Sequence, residues 1–318
     1  MPRRTVAVDE LVRSARDGDP RAVARLISLV EDDAATLPEL SAALTPYVGG
    51  AQVVGLTGSP GVGKSTSTAA LVGALRAEDL RVGVLAVDPT SPFSGGALLG
   101  DRIRMSEHAT DPGVFIRSMA TRGHLGGLSV AAPLALRVLD AAGCDVILVE
   151  TVGVGQSEVE VAGLADTTVV LLAPGMGDGI QAAKAGILEI GDVYVVNKAD
   201  RDGARQVRRE LRAMLSLAER GEGAWKPPIL LTVAYRGEGV EEVVAAIRDH
   251  RRCADDSGDL DRRRLRRARD EIEAIAAARL RARFASLHGD GRLDGLAADV
   301  VASRTDPYAA AEAVVAAL

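Results

Sequence analysis

Cysteine is nearly absent from this chain of 318 residues. Its two cysteines, Cys144 and Cys253, lie far apart and without metal-ligand spacing. That excludes a disulfide-stapled scaffold and leaves two reduced thiols, as expected of a cytoplasmic protein. Histidine is sparse too: His108, His124, His250 and His288 are scattered and build no metal-ligand cluster. Long apolar runs are missing. Those present, such as residues 169–173, are strand-sized and far too short to span a bilayer. The opening MPRRTVAVDE lacks the apolar stretch of a signal peptide. The net charge of -6 speaks against non-specific nucleic-acid binding. The expectation is a soluble, cytoplasmic chain with neither membrane nor nucleic acid as partner. Lysine is the last scarcity. Among 38 basic side chains only Lys64, Lys184, Lys198 and Lys226 are lysines.

What is present is a 47% hydrophobic chain, enough for one large α/β domain with extensions. Residues 1–50 read as helices over 8–16 and 20–30, where Val23, Leu26, Ile27 and Val30 share a face. From Gln52 the pattern changes. Apolar runs at 53–58, 82–88, 114–119, 145–150, 167–173, 193–198 and 229–234 alternate with helical stretches. Strands buried on both faces and separated by helices predict a doubly wound, mostly parallel sheet over residues 51–252. The polar stretch 253–259 reads as a linker. It opens a helical extension over 253–318, with a long helix over 261–287 striped by Leu265, Ile272, Ile275, Leu280, Phe284 and Leu287. Arginines at 262–269 read as a solvated face beside that stripe rather than a nucleic-acid or lipid surface.

Residues Gly58, Ser59, Pro60, Gly61, Val62, Gly63, Lys64 and Ser65 match the P-loop pattern GxxxxGK[ST], between a strand and a helix. Glycines let backbone N–H groups turn inward around phosphate oxygens, at a helix N-terminus that favours anions. Lys64 is expected to reach the β- and γ-phosphates, the Ser65 hydroxyl to coordinate Mg²⁺, and Thr66 to flank them. Asn197, Lys198, Ala199 and Asp200 form an NKxD element after a later strand. Its carboxylate can accept from guanine N1–H and the exocyclic amine, which adenine does not offer in that arrangement. Lys198 would cover the base plane, and Ala234 after the last strand would offer a backbone N–H. Glu150 ends a strand and is followed by Thr151, Val152 and Gly153. A carboxylate there can hold Mg²⁺, and Gly153 can donate to the γ-phosphate; an acidic strand end can also cap the next helix. Asp88, ending an earlier strand, has the same claim, and Asp101 is either a metal ligand or a helix cap. Val154 stands where a water-positioning glutamine usually follows the switch glycine, with Gln156 two residues on. Slow intrinsic hydrolysis, accelerated by a partner, is therefore expected. A P-loop kinase acting on a small molecule or protein is the alternative.

Longer stretches carry a resemblance. Residues 87–96, 99–105, 115–127, 150–158 and the DPYxAA element at 306–311 resemble the MeaB-type GTPases, some of them called ArgK, which serve adenosylcobalamin-dependent acyl-CoA mutases. The resemblance implies a SIMIBI-class fold, a homodimer formed through the C-terminal arm, GTP/GDP and Mg²⁺ as cofactors, and a chaperone role. In that role the protein gates cofactor loading and rescues the mutase, with methylmalonyl-CoA mutase as the default partner. It also implies Mg²⁺-site roles for Asp88, Asp101 and Glu150, and a switch at 174–184 worked by Asp178, Gln181 and Lys184. Gly179 stands where relatives commonly carry an acidic residue. His124 lies in a family motif, either as a conformational or phosphate-side residue or as a structural loop histidine. The related nickel-insertion GTPases would bring Cys/His clusters, which this chain lacks.

Overall fold

The computed structural model describes residues 7–32, 35–89, 106–108, 110–121, 128–151, 157–175, 188–217, 224–287 and 291–316. Among them are β1 (Gln52–Thr57), β2 (Val82–Pro89), β3 (Val114–Thr121), β4 (Val146–Thr151), β5 (Thr167–Leu172), β6 (Val193–Val196) and β7 (Ile229–Leu231). They form one sheet in the order β3-β2-β4-β1-β5-β6-β7, every neighbouring pair parallel. The strands are mostly apolar because both faces are covered, with polar residues such as Gln52, Thr57 and Glu150 at or next to their ends. Along β4, Ile147 and Val149 join one buried cluster while Val146 and Leu148 join the other. That is the alternation a pleated strand imposes.

Helices α1 (Val8–Arg16), α2 (Pro20–Asp32) and α3 (Leu37–Leu44) bury Val12, Leu26, Ile27, Leu40 and Leu44 on the first face. There they share a core with α5 (Leu128–Ala141) and with Val161 and Leu164 of α6 (Ser157–Leu164). The Asp140 carboxylate ties the connection into β1, accepting from the Gly49 and Ala51 N–H groups at 2.6 and 3.0 Å. The second face carries α4 (Lys64–Arg76) and α8 (Val240–Asp256), through Leu71, Val72, Leu75, Val243, Val244 and Ile247. Beyond β6, α7 (Ala204–Leu215) packs Leu211 against Tyr194. Both cysteines are free, and burial pushes the Cys144 thiol up to about 12, which keeps it protonated and unreactive. No helix among the described residues is long and apolar enough to cross a membrane.

The polar stretch expected to be a linker is mostly helix. Helix α8 runs to Asp256, and α9 (Asp259–Leu287) starts after a turn at Ser257 and Gly258. Polar composition suits an exposed helical turn as well as a linker, so it could not separate the two. The chain divides into two compact units, one ending at Arg267 and the other running from Ala268 to Leu318. In the second, α10 (Arg292–Val301) precedes α11 (Pro307–Val315). Asp306 caps α11, accepting from the Tyr308 and Ala309 N–H groups at 2.9 and 3.1 Å. Pro307 begins it without forfeiting a hydrogen bond.

Arg262, Arg266 and Arg269 at the start of α9 are exposed, as a solvated face requires, but three arginines between them turn to buried acids. Arg263 is bidentate on Asp192 with both contacts at 2.8 Å. Arg264 and Arg267 each reach Asp166 at 3.1 Å. Both carboxylates also serve strand starts: Asp166 accepts from Val53 N–H at 3.1 Å and Asp192 from Thr168 N–H at 2.8 Å. His250 bridges Asp192 (3.2 Å) and the Thr167 hydroxyl (2.9 Å). Buried acids need cations, and this helix brings them. Burial pushes the Asp166 carboxyl up, but Arg264 and Arg267 outweigh it and hold it below the usual carboxylate range. A depressed folded-state pKa stabilises above the unfolded value near ~4 and loses that contribution as pH falls through the folded value. Thermal stability should therefore drop as pH falls below about 4. Asp166→Asn should cost about 3 kcal/mol at neutral pH and flatten the acid slope. Melting curves of both proteins against pH read the difference, and parallel slopes would contradict it.

Candidate functional site

The carboxyl ends of parallel strands are where open α/β sheets gather ligand-binding groups. Here the ends of β4, β1, β6 and β7 bring together residues from positions 58 to 235. The loop after β1 is bent by glycines at positive φ, +142° at Gly58 and +96° at Gly63. A Cβ on Gly58 would strike the Leu171 carbonyl, and one on Gly63 would lie 2.5 Å from Asn197 Nδ2. The loop thus lies flush against β5 and the NKxD element, with Gly63 as the left-handed N-cap of α4. Ser59 is half-buried, Pro60, Gly61 and Thr66 are exposed, and Val62 is buried.

Lys64 is buried. Its ammonium donates to the Gly58 carbonyl at 2.5 Å and the Ser59 carbonyl at 3.2 Å, so the charge sits inside the curve of the loop. One residue on, the Ser65 hydroxyl donates to Glu150 Oε1 at 2.6 Å. The other carboxylate oxygen, Oε2, accepts from Thr68 Oγ1 at 2.8 Å. Glu150 is 4% exposed, so β4 presents a buried carboxylate to two hydroxyls of α4. A hydroxyl and a carboxylate are the oxygen donors a hard divalent cation takes, so the residues fit Mg²⁺. Register puts Ala86 beside Glu150, so the Asp88 backbone lies at the same sheet edge, past the last paired residues of β2 and β4.

The NKxD element closes the other side. Asn197 is buried; its Nδ2 donates to the Val62 carbonyl at 2.9 Å, and its Oδ1 accepts from the Thr232 hydroxyl and the Ala234 N–H, both at 3.1 Å. One amide thus joins the P-loop to the end of β7. The Ala234 N–H, expected at the base edge, is donated to Asn197 here. Lys198 adopts φ +58°, and its ammonium donates to the Gly61 carbonyl at 2.6 Å. Asp200 stays exposed, with Tyr235 O–H donating to its Oδ2 at 3.2 Å.

Motif reading missed Thr68 and Thr232. Thr68 belongs to no pattern; its only signal is a position four residues after Lys64, on the same face of α4. The Asp88 side chain, Asp101, Gly153, Asp178, Gly179, Gln181, Lys184 and His124 lie outside the described residues.

Comparison with known proteins supplies independent findings. The family model for the methylmalonyl Co-A mutase-associated GTPase MeaB matches residues 23–288. A Pyrococcus horikoshii protein that carries a GTPase name is 50% identical over 310 residues, 96% of this chain and 97% of that protein. The GTPase ArgK of Escherichia coli is 40% identical over 258 residues, 79% of this chain and 78% of its own length. The mitochondrial methylmalonic aciduria type A homolog of Mus musculus is 37% identical over 274 residues, 81% of this chain and 66% of that one. Among solved structures, a LAO/AO transport system kinase superposes with a TM-score of 0.72 at 29% identity, covering 97% of this chain and 96% of that one.

Proposed function

The chain belongs to the MeaB family of methylmalonyl-CoA mutase-associated GTPases, and on that premise we propose that it is a GTP-hydrolysing chaperone for an adenosylcobalamin-dependent acyl-CoA mutase. In this reading the protein gates cofactor loading of the mutase and rescues the inactivated enzyme. The observation that carries the nucleotide half is the convergence of Lys64, the Ser65–Glu150 pair and the Asn197–Asp200 segment at one sheet edge. The mutase half rests on the family and on the mouse relative, whose name ties it to methylmalonic aciduria.

Each residue has a part. The backbone N–H groups of 58–65 and the Lys64 ammonium bind and neutralise the phosphates. Ser65 and Glu150 would hold Mg²⁺, and Asp88 and Asp101 would serve as further acidic donors. Bound there, Mg²⁺ supplies charge neutralisation for phosphoryl transfer. Asp200 reads guanine, Lys198 covers the base, and Asn197 keeps the two loops in register. Gly153 and the segment with Asp178, Gln181 and Lys184 order around the γ-phosphate and report its presence to the mutase. With no glutamine directly after Gly153, intrinsic turnover is slow and the mutase accelerates it. Residues 51–252 act as the G domain between the N-terminal helices and a C-terminal arm. The exposed Leu265, Ile272, Ile275, Leu280 and Phe284 along α9 are the arm's means of pairing with a second copy.

The test is GTP hydrolysis by the purified protein, alone and with methylmalonyl-CoA mutase, ATP serving as control. The expected result is slow GTP turnover raised many-fold by the mutase. Turnover indifferent to every acyl-CoA mutase offered would leave a GTPase without the chaperone role. ATP consumption with phosphate appearing on an acceptor would favour the kinase alternative. Light scattering of the same preparation tests the arm, and a single-chain mass would reject pairing.

A further inference from the structure

We propose that Thr68 is a positioning residue for Glu150, and that its hydroxyl sets how tightly the site holds Mg²⁺. The proposal rests on Ser65 and Glu150 forming the Mg²⁺ site. Thr68 lies on α4 one turn after Lys64, with no exposed surface. Its Oγ1 is 3.0 Å from the Lys64 carbonyl oxygen and 2.8 Å from Glu150 Oε2. A hydroxyl has one hydrogen to give. In an ordinary helix a threonine returns it to the carbonyl four residues back. Here a carboxylate competes for it, and a charged acceptor outbids a neutral carbonyl in a buried setting. The shorter of the two distances agrees. The hydrogen therefore goes to Glu150.

The consequence is a carboxylate gripped at both oxygens from one helix, Ser65 on Oε1 and Thr68 on Oε2. The two hydroxyls are three residues apart, the spacing that sets side chains on one helix face. Their duties differ. Ser65 can offer a lone pair to a cation while its O–H still donates to Glu150, so it serves metal and carboxylate together. Thr68, directed at the far oxygen, acts on the metal only through Glu150. Hydrogen-bond partners of this kind fix the rotation of a ligating carboxylate, and losing one weakens metal binding about 10- to 100-fold.

The test uses full-length protein and GDP bearing an N-methylanthraniloyl fluorophore, titrated with MgCl₂ and separately measured in EDTA. Thr68→Val keeps shape and β-branching but removes the hydroxyl. It should raise the Mg²⁺ concentration for half-maximal slowing of GDP release about tenfold, and leave GDP affinity in EDTA within about twofold. Thr68→Ser restores the hydroxyl and should return the midpoint towards wild type. If the valine variant does not fold, Thr68→Ala carries the same expectation. An unchanged midpoint, an equal loss of GDP affinity in EDTA, or a serine variant as impaired as valine would each overturn the positioning role. Wild-type GDP release indifferent to Mg²⁺ would instead sink the Mg²⁺ site itself.

Discussion

Lys64→Ala should cut single-turnover GTP hydrolysis about 10³-fold at saturating nucleotide. The ammonium is buried at the mouth of α4 and held by the Gly58 and Ser59 carbonyls, so it is positioned before any phosphate arrives. A charge fixed in a water-poor loop stabilises developing phosphate charge far more than one in solvent, and it needs no reorganisation as the reaction proceeds. Alanine removes that charge and leaves the loop carbonyls facing the phosphate oxygens, so nucleotide affinity falls as well. Arginine should not rescue, because its planar fork cannot occupy the place of a compact ammonium inside this curve. Quenched-flow measurement on protein with wild-type circular dichroism decides the matter. A rate within tenfold of wild type would remove Lys64 from the catalytic role.

Asp200→Asn should abolish guanine preference and create a preference for xanthine. The Asp200 carboxylate is exposed at the end of the β6 loop, with Tyr235 on one oxygen, so a base edge can reach it. Guanine presents two donors, N1–H and the exocyclic amine, and a carboxylate accepts both. An asparagine accepts one and sets its own N–H group against the amine. Xanthine carries an oxygen there, which that N–H group can satisfy. A polar edge mispaired against a group placed to match it is worth about 10⁴-fold. Competition between GTP and XTP for the variant should show reversal on that order. A variant that still prefers GTP would show that the base is read elsewhere.

Parts of this architecture are legible in the amino-acid sequence alone. The strands could be read because both faces of a parallel sheet are buried, which leaves continuous apolar runs in the sequence. The P-loop could be read because its chemistry is contiguous: the residues that curve the backbone and the lysine inside the curve lie within eight positions. The stretch 253–259 misled, since an exposed helical turn and a linker share a composition. Arg263, Arg264 and Arg267 of α9 misled for another reason. Their counter-charges, Asp192 and Asp166, lie 71 to 101 residues away, beyond any local pattern.

The sequence by itself determined the fold class, the family and the presence of a phosphate-binding loop. Hydrophobic period and contiguous motif are local properties, written in residues adjacent along the chain. Only the tertiary structure decided which groups meet. It placed Glu150 against Ser65 and Thr68 across 82 to 85 residues, and gave the Asn197 amide to the P-loop carbonyl of Val62 across 135. It also seated Arg263, Arg264 and Arg267 on two buried acids. Those pairings come from strand order and helix docking, and a buried polar group must find its partner wherever packing puts one.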